Sequence, residues 1–157
     1  MGRHRNFGGG SALPVFTPPP EQDAMLQSRV VLTSAEILNL AAAPKTLLNA
    51  PGPGKIIQPF GVTATIDFKS QVYLGTALWW LTMNGLANGW TCSIGMGDAL
   101  RLAVRSTFMF DAFSQIGNGD LTSDLSNTPL MLENPDPDYT GGDSPIIIQI
   151  YYSVGSL

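Results

Sequence analysis

"SPIIIQIYYSV", residues 144–154, decides the fold. In extended chain, side chains alternate between two faces. Ile146, Ile148, Ile150, Tyr152 and Val154 then share one face, and Ile147, Gln149, Tyr151 and Ser153 share the other. The first is a core face. The second is half apolar, which suits a central strand or one that faces another subunit.

The same period recurs upstream. Within 55–69, Val62, Ala64, Ile66 and Phe68 alternate with Thr63, Thr65, Asp67 and Lys69, and Pro59 and Gly61 predict a bend or break. Shorter strands are expected at 29–33, 90–94, 107–113 and 130–133, and extended chain at 45–50. A further strand over 74–83 would send Trp79 and Trp80 to opposite faces. Asn84-Gly85 and Asn88-Gly89 are turn dipeptides, the first with hairpin chemistry, and 117–127 reads as loop. Thr33-x-x-Glu36 is a capping box that predicts a short helix over 34–40, stopped by Pro44. Residues 98–105 fit either a second short helix capped by Asp98 or extended chain. Many short strands between Gly, Pro and Asn turns indicate an all-β antiparallel sandwich with one or two short helices, occupying 28–157. Ahead of it, 1–27 reads as an extended Gly/Pro-rich N-terminal arm, with Gly8-Gly9-Gly10-Ser11 flexible and Pro18-Pro19-Pro20 stiff. Phe7, Leu13, Val15 and Phe16 are more than a solvated tail needs, so the arm is expected to dock on a neighbouring subunit or shell.

Composition narrows the function. Only 13% of the 157 residues are charged, while 44% are hydrophobic. An ordinary soluble domain carries about 25% charged residues. A surface so poor in charge is expected to be covered by partners, giving a homo-oligomer, with a trimer as first choice. The net charge is −4, and beyond Arg105 there are acidic residues but no Lys or Arg. Nucleic acid is therefore not an expected partner, since no basic stripe exists to displace counterions. No apolar run approaches the length of a membrane span, and the first residues lack the apolar segment of a secretory leader.

Chemistry-bearing residues are scarce. Cys92 is the sole cysteine and His4, in the arm, the sole histidine. That removes intrachain disulfides, Ser-His and Cys-His pairs within the sandwich, and Cys- or His-rich metal sites, so no enzyme and no cofactor are expected. Gly52-Pro53-Gly54-Lys55 looks like a phosphate loop but lacks its pattern. Asn49 stands at the first glycine position and Ile56 at the Ser/Thr position, and Pro51 and Pro53 cannot donate. It is read as a turn feeding a strand. "NPDPDYTGGD" (134–143) offers Asn134, Asp136, Asp138 and Asp143 as calcium-type oxygens, but Tyr139 and Pro145 stand where an EF-hand needs Gly and Glu. Carboxylates bonding their own turns are the preferred reading. A paired-carboxylate glycosidase is weaker still, because the acids lie in loops. Tyr73, Trp79, Trp80, Trp90 and Tyr139 can be sugar-stacking platforms or, as preferred, core and interface anchors; Cys92 is read as a small buried hydrophobe.

Residues 30–68 ("VVLTSAEILNLAAAPKTLLNAPGPGKIIQPFGVTATIDF") and 129–154 ("PLMLENPDPDYTGGDSPIIIQIYYSV") together resemble small β-sandwich virion proteins of tailed bacteriophages. The shared features are an "LT…I..L…P..L..APG.GK.I.P" stretch leading into the sheet and a closing "TGG…I.I.YY.V" strand. The resemblance covers about half the chain and excludes 75–128 and the arm. It implies a jelly-roll-type sandwich and a non-enzymatic structural role in the virion. The expected form is a capsid decoration (cement) protein on the capsid exterior, made in the host cytoplasm and bound to the major capsid protein. An oligomeric head or tail fibre, or a glycan-binding receptor module, is the alternative, and a polysaccharide depolymerase a distant third. Contact residues expected on this reading are Phe7, Leu13, Val15, Phe16, Trp79, Trp80 and Tyr151.

Overall fold

The computed structural model describes residues 24–75, 79–83, 90–94, 96, 99–111, 115–116, 125–135 and 139–156. Phe7, Leu13, Val15 and Phe16, the Asn-Gly turns, Asp98, Asp136 and Asp138 lie outside these. Among the described residues the chain forms β1 (Leu26–Leu32), α1 (Ser34–Leu38), β2 (Lys45–Leu48), β3 (Lys55–Ile66), β4 (Trp79–Met83) and β5 (Trp90–Ile94). A single 3-10 turn at Ala99–Arg101 follows, then β6 (Ser106–Asp111), β7 (Gln115–Ile116), β8 (Leu130–Glu133) and β9 (Ile146–Ser156).

The strands make two antiparallel sheets, ordered β1-β9-β3-β6 and β2-β8-β4-β5-β7. Their pairings are nested: β1 with β9, β2 with β8, β3 with β6 and β4 with β5. A long hairpin rolled upon itself gives this order, and β3–β9 and β8–β4 contacts close each roll into a sheet. It is the jelly-roll arrangement of two Greek keys. The short β7 extends the second sheet beside Trp90 and Thr91.

Each sheet turns its alternating apolar row inward. Val62, Ala64 and Ile66 of β3 stand opposite Ile150, Ile148 and Ile146 of β9, with Leu32 of β1 beside them. Trp79, Leu81, Met83, Leu130, Leu132 and Ile94 face them from the second sheet, and all of these are buried. The bend expected at Pro59 and Gly61 is a bulge, where the β3–β9 register slips by one residue at Phe60. It restores the inward row on the far side, so that Ile57 is buried although its parity differs from Val62. The capping box is present as read: the Thr33 hydroxyl accepts from the Glu36 N–H, and the Glu36 carboxylate accepts from the Thr33 N–H. Lys45 pairs with the same carboxylate, tying β2 to the helix and, with the Thr33 bonds, holding it below the usual carboxylate range.

Several boundaries differ from those the sequence predicts. β1 starts at Leu26, inside the stretch read as arm, because its backbone pairs with Tyr152. The helix stops at Leu38, where the Asn39 N–H turns back to the Glu36 and Ile37 carbonyls. Of the strand expected over 74–83, the described residues form β4 at Trp79–Met83, while Leu74 makes an isolated bridge to Thr140.

The two faces of β9 set up a simple contrast. Ile148 is fully enclosed while Ile147 is only partly covered. Ile148→Ala should lower the unfolding free energy by about 2–5 kcal/mol in denaturant titration. Ile147→Ala should cost roughly 1 kcal/mol or less, because little apolar area leaves contact there. Equal losses would contradict the assignment of faces.

Candidate functional site

Motifs that could have carried chemistry turn out to be latches between loops. The Gly-Pro-Gly-Lys segment is a tight turn in which the Lys55 N–H donates to the Gly52 carbonyl at 3.2 Å. Gly52 and Gly54 take φ of +107° and +69°, values that disfavour a side chain. The Gly52 N–H is engaged by the Asn127 carboxamide at 2.9 Å, and the Asn127 N–H donates to the Lys55 carbonyl at 2.8 Å. With the Gly52 amide taken by Asn127, the Lys55 amide used by the turn, and Pro51 and Pro53 lacking an N–H, no fan of donors faces a phosphate.

At the opposite end of the sandwich, "TGGD" closes another latch. The Asp143 carboxylate accepts from the Ser70 and Gln71 N–H groups at 3.2 and 3.0 Å and from the Ser70 hydroxyl. These bonds pull its pKa from 3.8 to about 2. Tyr73 threads beneath and donates to the Ser144 carbonyl; burial first, and then the Asp143 charge, push its phenol up to about 12. A Cβ on Gly142 would lie 2.2 Å from the Tyr73 ring, so only glycine fits over it. Asp143 thus departs from the expected bonding of a carboxylate to its own turn: its bonds go to the backbone of Ser70 and Gln71, in a distant segment. Among the described residues no group of three or more His, Cys, Asp or Glu is placed to share a metal ion.

The aromatic residues divide by face. Tyr73, Tyr139 and Trp79 are buried together, with Tyr139 edge-on to Tyr73 at 5.8 Å and to Trp79 at 6.4 Å. They are core anchors, and Trp79, wholly enclosed, leaves the set of candidate contact residues. Trp80 points to the other side of β4, as the alternation requires, and is half-buried there. Side chains of Trp90 and Cys92 lie outside the description.

Among the described residues, the outer face of the β1-β9-β3-β6 sheet is a surface open to a partner. Cross-strand register lines up Val31, Ile147, Thr65 and Thr107 in one row and Arg29, Gln149, Thr63 and Met109 in the next. Tyr151 continues the β9 column, its hydroxyl accepting from the Gln149 amide at 2.9 Å, and the Thr65 and Thr107 hydroxyls bond to each other across strands. Met109 is 83% exposed, Phe60 at the bulge 47% and Val31 44%. In those two rows Arg29 is the sole charged side chain, and it sits on an edge strand. Tyr151 was legible from the second face of β9. Val31 and Met109 were not, because their strands are short and only cross-strand pairing brings them into one patch.

No family model matches the sequence, and no curated protein does. Among solved structures, the fold is similar to a chain of the cyanophage Pam1 capsid asymmetric unit, with a TM-score of 0.47 and 14% identity, over 92% of this chain and 95% of that one. A likeness this distant concerns the path of the chain and assigns no role. No helix among the described residues is long and apolar enough to cross a membrane.

The Asp143 latch has a pH signature. Its carboxyl is depressed in the folded state, so its stabilising contribution is complete above the unfolded value near 3.8 and is lost as pH falls through about 2. The melting temperature of the parent protein should therefore fall more steeply between pH 4 and 2 than that of Asp143→Asn. Parallel curves would show that the carboxylate is not engaged.

Proposed function

We propose that this protein is a non-enzymatic structural component of a bacteriophage virion, and specifically a capsid decoration (cement) protein. The observation that carries the reading is the outer face of the β1-β9-β3-β6 sheet, which presents Val31, Met109, Ile147 and Tyr151 to a partner. Such a face contributes by burying apolar area, with aromatic and methionine side chains of the kind that interfaces favour. The jelly roll supports the reading as a fold used in viral shells, though fold alone assigns no role. The sequence resemblance of 30–68 and 129–154 to phage virion proteins supports it independently.

On this reading the partners are the major capsid protein and further copies of the same chain in a trimer, on the capsid exterior. Trp80 and Tyr151, with Phe7, Leu13, Val15 and Phe16 of the arm, belong to the contact set. Binding across neighbouring shell subunits stabilises the assembled state by mass action, without any chemical step. Neither nucleic acid nor membrane enters this role.

The test is binding of the purified protein to expanded heads made without it. Saturable binding is expected, with heads that survive heating better once decorated. Val31→Glu with Met109→Glu should weaken binding at least tenfold while leaving the melting temperature of the free protein nearly unchanged, since both side chains are exposed. Unaltered binding by the double variant, or retention on host glycans without any on heads, would overturn the reading; the latter outcome would indicate a receptor-binding fibre module.

A further inference from the structure

The inward apolar row of β9 does not stop where the core stops. Past Ile150 it continues through Tyr152 and Val154, and these two are only partly covered. They form one wall of an open groove of about 350 Å³ between the sheets, at the end where β1 begins and the Gly-Pro-Gly-Lys turn lies. Leu47 and Ile57 make its floor, with Ser28 and Asn49 on its rim. Both Leu47 and Leu48 turn inward because β2 slips register against β8 between Thr46 and Leu48. The groove volume equals roughly a dozen water molecules, enough for two large side chains and far too little for a folded domain.

We infer that this groove receives the N-terminal arm of a second copy, seated through Val15 and Phe16. Three observations select that occupant. First, β1 starts with Leu26 directly opposite Tyr152, so the arm is attached to the sandwich beside the mouth of the groove. Second, the arm carries Leu13-Pro14-Val15-Phe16, a short apolar run that the Leu47, Ile57, Tyr152 and Val154 side of this mixed groove can cover. The Ser28 hydroxyl and Asn49 carboxamide on the rim supply partners for its peptide groups, which would otherwise lose water unpaired. Third, Pro18-Pro19-Pro20 separates that run from β1. Prolines hold an extended path and resist reversal. Ten residues from Phe16 to Leu26 can span up to roughly 30 Å, a reach sufficient for the groove of a neighbour. Exchange of arms in this way links copies without a large flat interface, because the ordering cost of the arm is lowered by the proline run.

The inference concerns purified protein and stands apart from the capsid reading. Cross-linking between two differently marked chains tests it. In a Cys92→Ser background, full-length Phe16→Cys is mixed with full-length Asn49→Cys and oxidised mildly. A disulfide-linked pair containing one chain of each kind should accumulate to at least tenfold above the yield with Thr107→Cys, whose exposed site lies on β6, away from the groove. Ser28→Cys, on the other side of the rim, should link as well and serves if Asn49→Cys perturbs the turn. Mixed linkage no higher than the Thr107→Cys control at both rim positions would overturn the inference. So would a Phe16→Cys/Asn49→Cys double variant that links only within single chains, since the arm would then occupy its own groove.

Discussion

The fold depends on the ladder between β3 and β9, two strands that lie some eighty residues apart in sequence and run side by side for most of their lengths. One row of that ladder, Ile66–Ile146, Ala64–Ile148 and Val62–Ile150, is the floor of the core. β1 and β6 pair only with members of this ladder, so the whole first sheet hangs on it. The other row of the same ladder, Thr65–Ile147 and Thr63–Gln149, cannot help facing outward. The candidate contact surface is thus the reverse side of the core. A one-residue slip would send isoleucines to solvent and threonines inward, so core and contact face are specified together.

Such pairing has a cost in folding, because nested strands require distant segments to meet before shorter contacts can help. Two latches fix the loops once that has happened. At one end, Tyr73, Gly142 and Asp143 bind the chain leading towards β4 to the chain entering β9. At the other, Asn127 clasps the turn that feeds β3. Each joins segments more than seventy residues apart, one on either side of the ladder. The acidic loop and the glycine-rich turn, the two stretches of sequence that most invite a functional reading, are therefore accounted for by backbone donors that need acceptors.

Much of this was legible beforehand, and for identifiable reasons. Alternation fixed β9 and the second half of β3, because isoleucine and threonine rows differ strongly in polarity. Pro59 and Gly61 announced the bulge, and Thr33 with Glu36 announced the helix start. Sheet order was not legible from alternation, since period two says which face is apolar but not which strand lies alongside; the jelly roll entered through resemblance and the pairings gave it substance. β7 escaped notice because two residues carry no period. The Tyr73–Gly142 packing escaped too, for it depends on a ring and a glycine brought together only by the folded loops. Trp79 and Trp80 were rightly placed on opposite faces. Yet a tryptophan in a strand gives no sign of whether its face is covered by the same chain, and Trp79 proved to be core.

Native-state hydrogen exchange measures most directly whether the β3–β9 ladder holds the molecule together. Backbone amides of Ile146–Ile150 and their partners Val62–Ile66 should be the slowest in the protein, exchanging only through global unfolding with a common free energy and a denaturant dependence equal to that of complete unfolding. Amides of β1 and β6 should open at lower free energy, because each is an edge strand. If the ladder amides exchanged faster than those of β4 and β5, or opened without denaturant dependence while the second sheet stayed protected, the first sheet would not be the element on which the fold depends.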